Sequence, residues 1–131
     1  MGKKKGFALA FICWMGLITW ASLATFKGHG GFMGIEVPHL DKIIHFIFYF
    51  VAIILCLLAL REQFPGKWPT NGTLWTCAII LAVFGIIIEV LQSRITVTRQ
   101  GDLMDALANT SGVFVGLLLT RRRIFKEKDA K

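Results

Sequence analysis

Eight side chains able to do acid-base, ionic or ligating chemistry stand at the ends of long apolar runs: Asp41, His45, Glu89, Gln92, Arg99, Asp102, Asp105 and Asn109. An ionisable group in hydrocarbon costs roughly 2.5 to above 10 kcal/mol by different measures, so such groups normally face a bundle interior and find partners. A histidine among carboxylates is equipped for general acid-base work. The same set offers the oxygen and imidazole donors of a divalent-cation site, with nothing to choose between magnesium, manganese and zinc. An arginine beside them suits a phosphate or carboxylate, which its planar fork grips with two hydrogen bonds. There is no Ser-His-Asp pattern, phosphate-binding loop or HExxH motif.

Each residue also has a plainer reading. Asp41 and Asp102 stand where helix N-caps would be, a role worth about 0.5 to 2 kcal/mol. His45 lies one turn inside an apolar run, where a structural hydrogen bond serves as well as a chemical role. Glu89 closes an unbroken apolar run, where local helix chemistry asks for no glutamate; snorkelling to the interface is its plain alternative. Asp105 lies a turn beyond Asp102, too deep to cap the same helix, and Asn109 lies deeper still. Arg94 and Arg99 read either as loop charges or as partners for Glu89 and Asp105. Taken together, the residues predict a shared polar pocket at one membrane face.

The elements that must carry these groups are four apolar runs in a chain of 131 residues, 55% of them hydrophobic. Mean hydropathy is +0.63. A bilayer core about 30 Å thick is crossed by roughly 20 helical residues. Spans are expected at about 6–26, 43–60, 74–92 and 103–120, making one all-α domain over 1–131, a four-transmembrane-helix bundle. The fourth run is the shortest and spans only if Leu103 to Asp105 continue its helix. The first run also resembles a signal peptide, with a basic start and Ser22-Leu23-Ala24 as a small-x-small site. Its apolar stretch exceeds the usual 7 to 15 residues of such signals, so a retained helix is expected. Cys13, Cys56 and Cys77 fall one per span, in neither zinc nor disulfide spacing, and read as small buried residues.

The charge is +7, and it sorts by side. Lys3 to Lys5, Arg61, Lys67 and the basic tail from Arg121 to Lys131 fall on one side of the spans. Lys27, Lys42, Arg94 and Arg99 face acids on the other. The positive-inside rule then makes both termini cytoplasmic and the polar pocket external. The basic clusters suit anionic lipid head groups. This sorting also removes nucleic acid as the reason for the charge. On that topology the link from Glu62 to Thr73 is a cytoplasmic loop, with Trp68 and Trp75 in the interfacial aromatic belt. The Asn71-Gly72-Thr73 glycosylation match lies on the wrong side to be used. The tail after Thr120 reads as a solvated basic segment.

Helical spacing puts Asp41, His45, Tyr49, Ala52, Cys56 and Ala59 on one face of the second span. Gly85, Glu89 and Gln92 share a face of the third. The fourth carries Asp102, Asp105, Asn109, Gly112 and Gly116, with Ala108 extending the glycine pair backwards. Small residues spaced by four let helices approach closely. Each stripe therefore reads as a packing seam that turns polar at its outer end.

At these residues the chain resembles the VanZ-like family of small bacterial membrane proteins. One motif is Asp41-Lys42-Ile43-Ile44-His45-Phe46, continuing to Tyr49. The other runs from Glu89-Val90-Leu91-Gln92 through Arg99-Gln100-Gly101-Asp102-Leu103-Met104-Asp105 to Ala108-Asn109, Gly112 and Gly116. The family's pattern is D-K-x-x-H-F, E-x-x-Q and R-x-x-D-x-x-D-x-x-x-N-x-x-G-x-x-x-G, and every spacing agrees. The match covers spans two to four; many members have a proline soon after the first span, where this chain has Lys27-Gly28-His29-Gly30. The resemblance implies a multi-pass protein of the bacterial cytoplasmic membrane acting in the cell envelope. The family takes its name from a protein linked to low-level resistance to teicoplanin, a lipid-tailed glycopeptide antibiotic. Two functions of different class follow as expectations. One is engagement of an amphiphile, a lipoglycopeptide or a lipid-linked head group in the outer pocket. The other is a membrane-embedded hydrolase or transferase acting on a phosphate-linked lipid. A structural subunit held by the Gly112 and Gly116 seam, and a small transporter, are further readings.

Overall fold

The computed structural model describes residues 5–24, 39–65, 67–95 and 102–130. They form four α-helices: α1 (Gly6–Leu23), α2 (Leu40–Gln63), α3 (Asn71–Ile95) and α4 (Leu103–Asp129). All four are long and apolar enough to cross a membrane. The fold is all-α, as the four apolar runs require, since a helix satisfies every backbone polar group within itself.

Three helices run a turn or more past the expected spans. Hydropathy stops where the polar end turns begin, yet those turns are good helix formers. The largest difference is in α4, which continues to Asp129 through a stretch read as a solvated tail. Lysine, arginine and glutamate favour helix nearly as well as leucine. Likewise α2 and α3 extend into the link between them, which shortens to 64–70. By contrast α1 ends early: Ala24 is extended and its N–H bonds the Trp20 carbonyl at 2.8 Å. The cap expected at Asp41 is not made. The N-cap of α2 is His39, in the left-handed region at φ 62, and Asp41 lies within the first turn.

Among the described residues α1 and α4 each touch α2 and α3 but not each other, so α2 and α3 form the middle of the bundle. α1 buries only Ile18 and Ser22. Phe11, Trp14 and Met15 pack partly against the core, while Phe7, Leu9, Ile12 and Trp20 are exposed, as a lipid-facing helix requires. Trp14 fastens it to α2 by donating its indole N–H to the Phe48 carbonyl at 2.9 Å, with the two rings edge to face. At its start α1 has no cap of its own. The Glu62 carboxylate of α2 instead accepts the N–H groups of Gly6, Phe7 and Ala8 at 2.9, 3.0 and 3.3 Å.

The closest packing joins α2 and α4. A Cβ at Gly112 would collide with the backbone carbonyl of Phe46, and one at Gly116 would stand 2.5 Å from Ile53 Cγ2. Only glycine lets the two backbones meet there. Behind the seam lie Ile53, Leu57, Leu74, Ala78, Val113 and Leu117, all buried. The stripe expected on α2 is largely realised: His45, Tyr49, Ala52 and Ala59 are buried and Cys56 partly so. Cys13 departs from its expected burial and faces outward from α1.

Candidate functional site

The Gly112 contact fixes the register of α2 against α4 and so decides which polar residues meet. Three turns of residues result, stacked from one end of the bundle inward.

The outermost layer is built on Lys42. Its ammonium lies 3.2 Å from Asp41 Oδ2, 3.1 Å from Asp102 Oδ2 and 3.0 Å from Asp105 Oδ1. Asp102 and Asp105 are three apart on α4, hence on one face. Asp102 is the cap read from sequence: its Oδ1 accepts the Met104 N–H at 3.0 Å and its carbonyl accepts those of Asp105 and Ala106. It does both jobs at once, capping α4 with one oxygen and holding Lys42 with the other. The Met104 hydrogen bond and then Lys42 hold its carboxyl below the ordinary 3.8. Among the described residues the layer holds one ammonium against three carboxylates. The Asp105 carboxylate is nearly covered, whereas those of Asp41 and Asp102 are about half exposed.

One turn deeper lies a buried chain across three helices. His45 Nδ1 stands 3.1 Å from Asn109 Oδ1 and 3.4 Å from Glu89 Oε1. Asn109 Nδ2 donates to Glu89 Oε1 at 3.2 Å. Both neighbours of Nδ1 are acceptors, so Nδ1 carries a proton. Exposure is 5% for His45 and Glu89 and zero for Asn109. Glu89 is therefore not snorkelling. Gln92 is also buried, one turn along the same face of α3.

The third layer is Tyr49 against Gly85. A Cβ at Gly85 would lie 3.1 Å from both Asn109 Cβ and Tyr49 Cε1, so the glycine gives room for the amide and the ring. The Tyr49 hydroxyl is fully buried and makes no hydrogen bond among the described residues. Leaving such a group unpaired costs about 1 to 3 kcal/mol.

Of the eight chemical residues, Asp41, His45, Glu89, Asp102, Asp105 and Asn109 come together, with Gln92 beside them. Arg99 lies outside the described residues. Of the packing residues, Gly85, Gly112 and Gly116 are buried at contacts, while Ala108 is half-buried. Lys42 was missing from the site residues read from the sequence, although it is the hub. The available signal was its position three residues before His45 and next to Asp41. As for a metal, no group of three or more His, Cys, Asp or Glu among the described residues is placed to hold one. An ammonium occupies the point where the three aspartates converge.

This architecture defines a class: a multi-pass α-helical membrane protein with a layered polar site at one end of its bundle. No family model, curated protein or solved structure matches the chain.

Proposed function

We propose that the chain is a VanZ-like protein of the bacterial cytoplasmic membrane, with both termini cytoplasmic, that engages the polar head of an amphiphile or lipid-linked molecule at its outer face. The observation that carries this reading is the Lys42 layer above the His45–Asn109–Glu89 chain. Of the motif residues that suggested the family, Asp41, Lys42, Asp102 and Asp105 meet in one layer and His45, Glu89 and Asn109 in the next. The layer has a surplus of carboxylate, suited to amine or hydroxyl groups of a head. Beneath it the Tyr49 hydroxyl offers a donor that the described protein groups leave unused. The outer carboxylates of Asp41 and Asp102 are half exposed and so within reach of a head group, while Asp105 below them is nearly covered.

A role in teicoplanin susceptibility belongs to this proposal. The test is expression of the native chain and of Asp105→Asn at matched membrane levels in a Gram-positive host, with teicoplanin susceptibility as readout. Reduced susceptibility with the native chain, lost in the variant, is expected. Equal susceptibility with and without the native chain would remove resistance from the proposal.

One observation favours the enzymatic alternative. A buried histidine whose Nδ1–H faces an amide oxygen and a carboxylate is oriented as the histidine of a catalytic triad is. On that reading the protein is a hydrolase or transferase acting on a phosphate-linked lipid. Asp105→Asn and His45→Gln would then abolish turnover outright while protein level and helicity persist, whereas a binding role loses function by degrees.

A further inference from the structure

The opposite end of the bundle carries a second candidate site, independent of the first. A pocket of about 240 Å³ opens between the end of α2, the link and the start of α3. Leu60, Phe64, Trp68 and Pro69 give it apolar walls, and Lys67, Thr70 and Thr73 complete its lining.

Its wall is built in advance of any ligand. The Trp68 indole N–H donates to Glu127 Oε2 of α4 at 2.8 Å, and the Arg61 guanidinium lies over the ring at 3.9 Å from its centroid. The tryptophan is thereby held at its edge and on one face. Thr70 and Thr73 are joined through their hydroxyls at 3.0 Å. Phe64, at 65% exposure, is a large apolar side chain left open at the end of a span.

The charge around the pocket is what names an occupant. Lys5, Arg61, Lys67, Arg121, Arg122, Arg123 and Lys126 gather at this end, because α1 and α3 begin here while α2 and α4 finish here. Glu62 and Glu127, the glutamates of this end, are already engaged by the protein. Glu62 caps α1, and Glu127 serves Trp68, Arg61 and Arg123. Lys67 has no acidic partner among the described residues. An apolar pocket with an uncompensated ammonium at its rim, at the end of a membrane-spanning bundle, matches a molecule with an apolar body and an anionic phosphate.

We infer that this pocket is a binding site for an anionic glycerophospholipid. The glycerol and upper acyl chain lie against Leu60, Phe64 and Trp68, and the phosphate is held by Lys67 and by the one threonine O–H that the Thr70–Thr73 hydrogen bond leaves free. A lysine near anionic lipid contributes about 1 kcal/mol, or roughly fivefold in affinity. The pocket adds a fixed position to that diffuse attraction, so the effect must be residue-specific.

The test is native mass spectrometry of the purified full chain in detergent, titrated with phosphatidylglycerol or phosphatidylcholine. One tight phosphatidylglycerol is expected per chain, at least about fivefold tighter than phosphatidylcholine. Lys67→Glu removes that preference, and Thr73→Phe, which fills the pocket, weakens both lipids. Arg122→Glu, an equal change of charge on exposed α4 surface outside the pocket lining, leaves the preference in place. Helicity by circular dichroism checks that each variant is folded, and Lys67→Gln serves should Lys67→Glu fail that check. Equal affinity for the two lipids, or equal loss in Lys67→Glu and Arg122→Glu, would overturn the site in favour of unspecific adsorption to a basic surface.

Discussion

The two ends of this bundle put the same residue types to different uses. At the basic end Glu62 and Glu127 each serve the local structure: Glu62 terminates α1, and Glu127 anchors Trp68. At the acidic end only Asp102 serves in that way, as the cap of α4. Asp41 and Asp105, in the first turns of α2 and α4, also converge on Lys42, and Glu89, far from the start of its helix, meets His45 and Asn109. Surplus polar groups inside a membrane protein are costly to keep. The comparison therefore separates charge that builds the fold from charge that the fold is built to present.

The largest expected effect lies between the two ends, at the seam that sets their registers. Gly112→Ala places a methyl against the Phe46 carbonyl, which is backbone and cannot rotate away. A loss of at least about 3 kcal/mol is expected, at or above the usual range for overpacking. Gly16→Ala is the control. Nothing stands within 4 Å of its Cβ position, and the better helix propensity of alanine makes it neutral or stabilising by up to about 1 kcal/mol. Reversible unfolding in detergent micelles measures both. Equal behaviour of the two variants would show that α2 and α4 do not meet through Gly112, and the layered site would lose its foundation.

Next comes the buried chain. Asn109→Ala removes the amide that joins His45 to Glu89, and a loss of about 1 to 3 kcal/mol is expected. A double-mutant cycle between His45→Ala and Asn109→Ala isolates the pair, with a coupling of about 0.6 to 2 kcal/mol. A coupling near zero would mean that the two side chains do not interact in the folded protein. No such coupling is expected between His45 and Glu62, which lie at opposite ends.

How much of this was legible in the sequence depends on whether a feature is local. Helix number and the polar stripes followed from apolar runs and from steps of three and four, both properties of a single helix. The last three helices outrun their apolar spans, because hydropathy ends before the helix does, most of all where arginine, lysine and glutamate continue α4 to Asp129. Asp102 as a cap was readable from its own neighbours. Asp41 was not, since the helix begins at Leu40 after His39 takes a left-handed turn. Lys42 looked like one charge among several, and its part follows only from the register that Gly112 imposes on α2 and α4. Glu62 was beyond reach because its partners belong to another helix: the amides it caps on α1 are 54 to 56 residues away in sequence.

A smaller effect tests the basic end. Glu62→Ala strips the α1 start of its side-chain cap and should cost about 1 kcal/mol, as loss of a cap generally does. The effect is local as well as global. Hydrogen exchange at the amides of Gly6, Phe7 and Ala8 should accelerate while exchange at Trp14, held separately to Phe48, stays slow. Uniform protection in the variant would mean that the carboxylate is not the acceptor of those amides.

The smallest effect returns to the acidic end and is read through pH. Asp102 is held below 3.8 by the Met104 N–H and by Lys42. A carboxyl whose folded value lies below its unfolded one adds stability that is fully present above the unfolded value. That stability fades as pH falls through 3.8 and is gone once pH is below the folded value. The carboxyl is open to solvent, so screening keeps the effect slight. Thermal unfolding in detergent between pH 7 and pH 2 should therefore show a shallow fall in stability on the acid side. Asp102→Asn keeps an oxygen to accept the Met104 N–H but has no charge to lose, so its profile should be flatter. If Asp102→Asn retained the full acid-side fall, Lys42 would not be drawing its charge-dependent hold from Asp102, and the hub would rest on Asp105 and Asp41 alone.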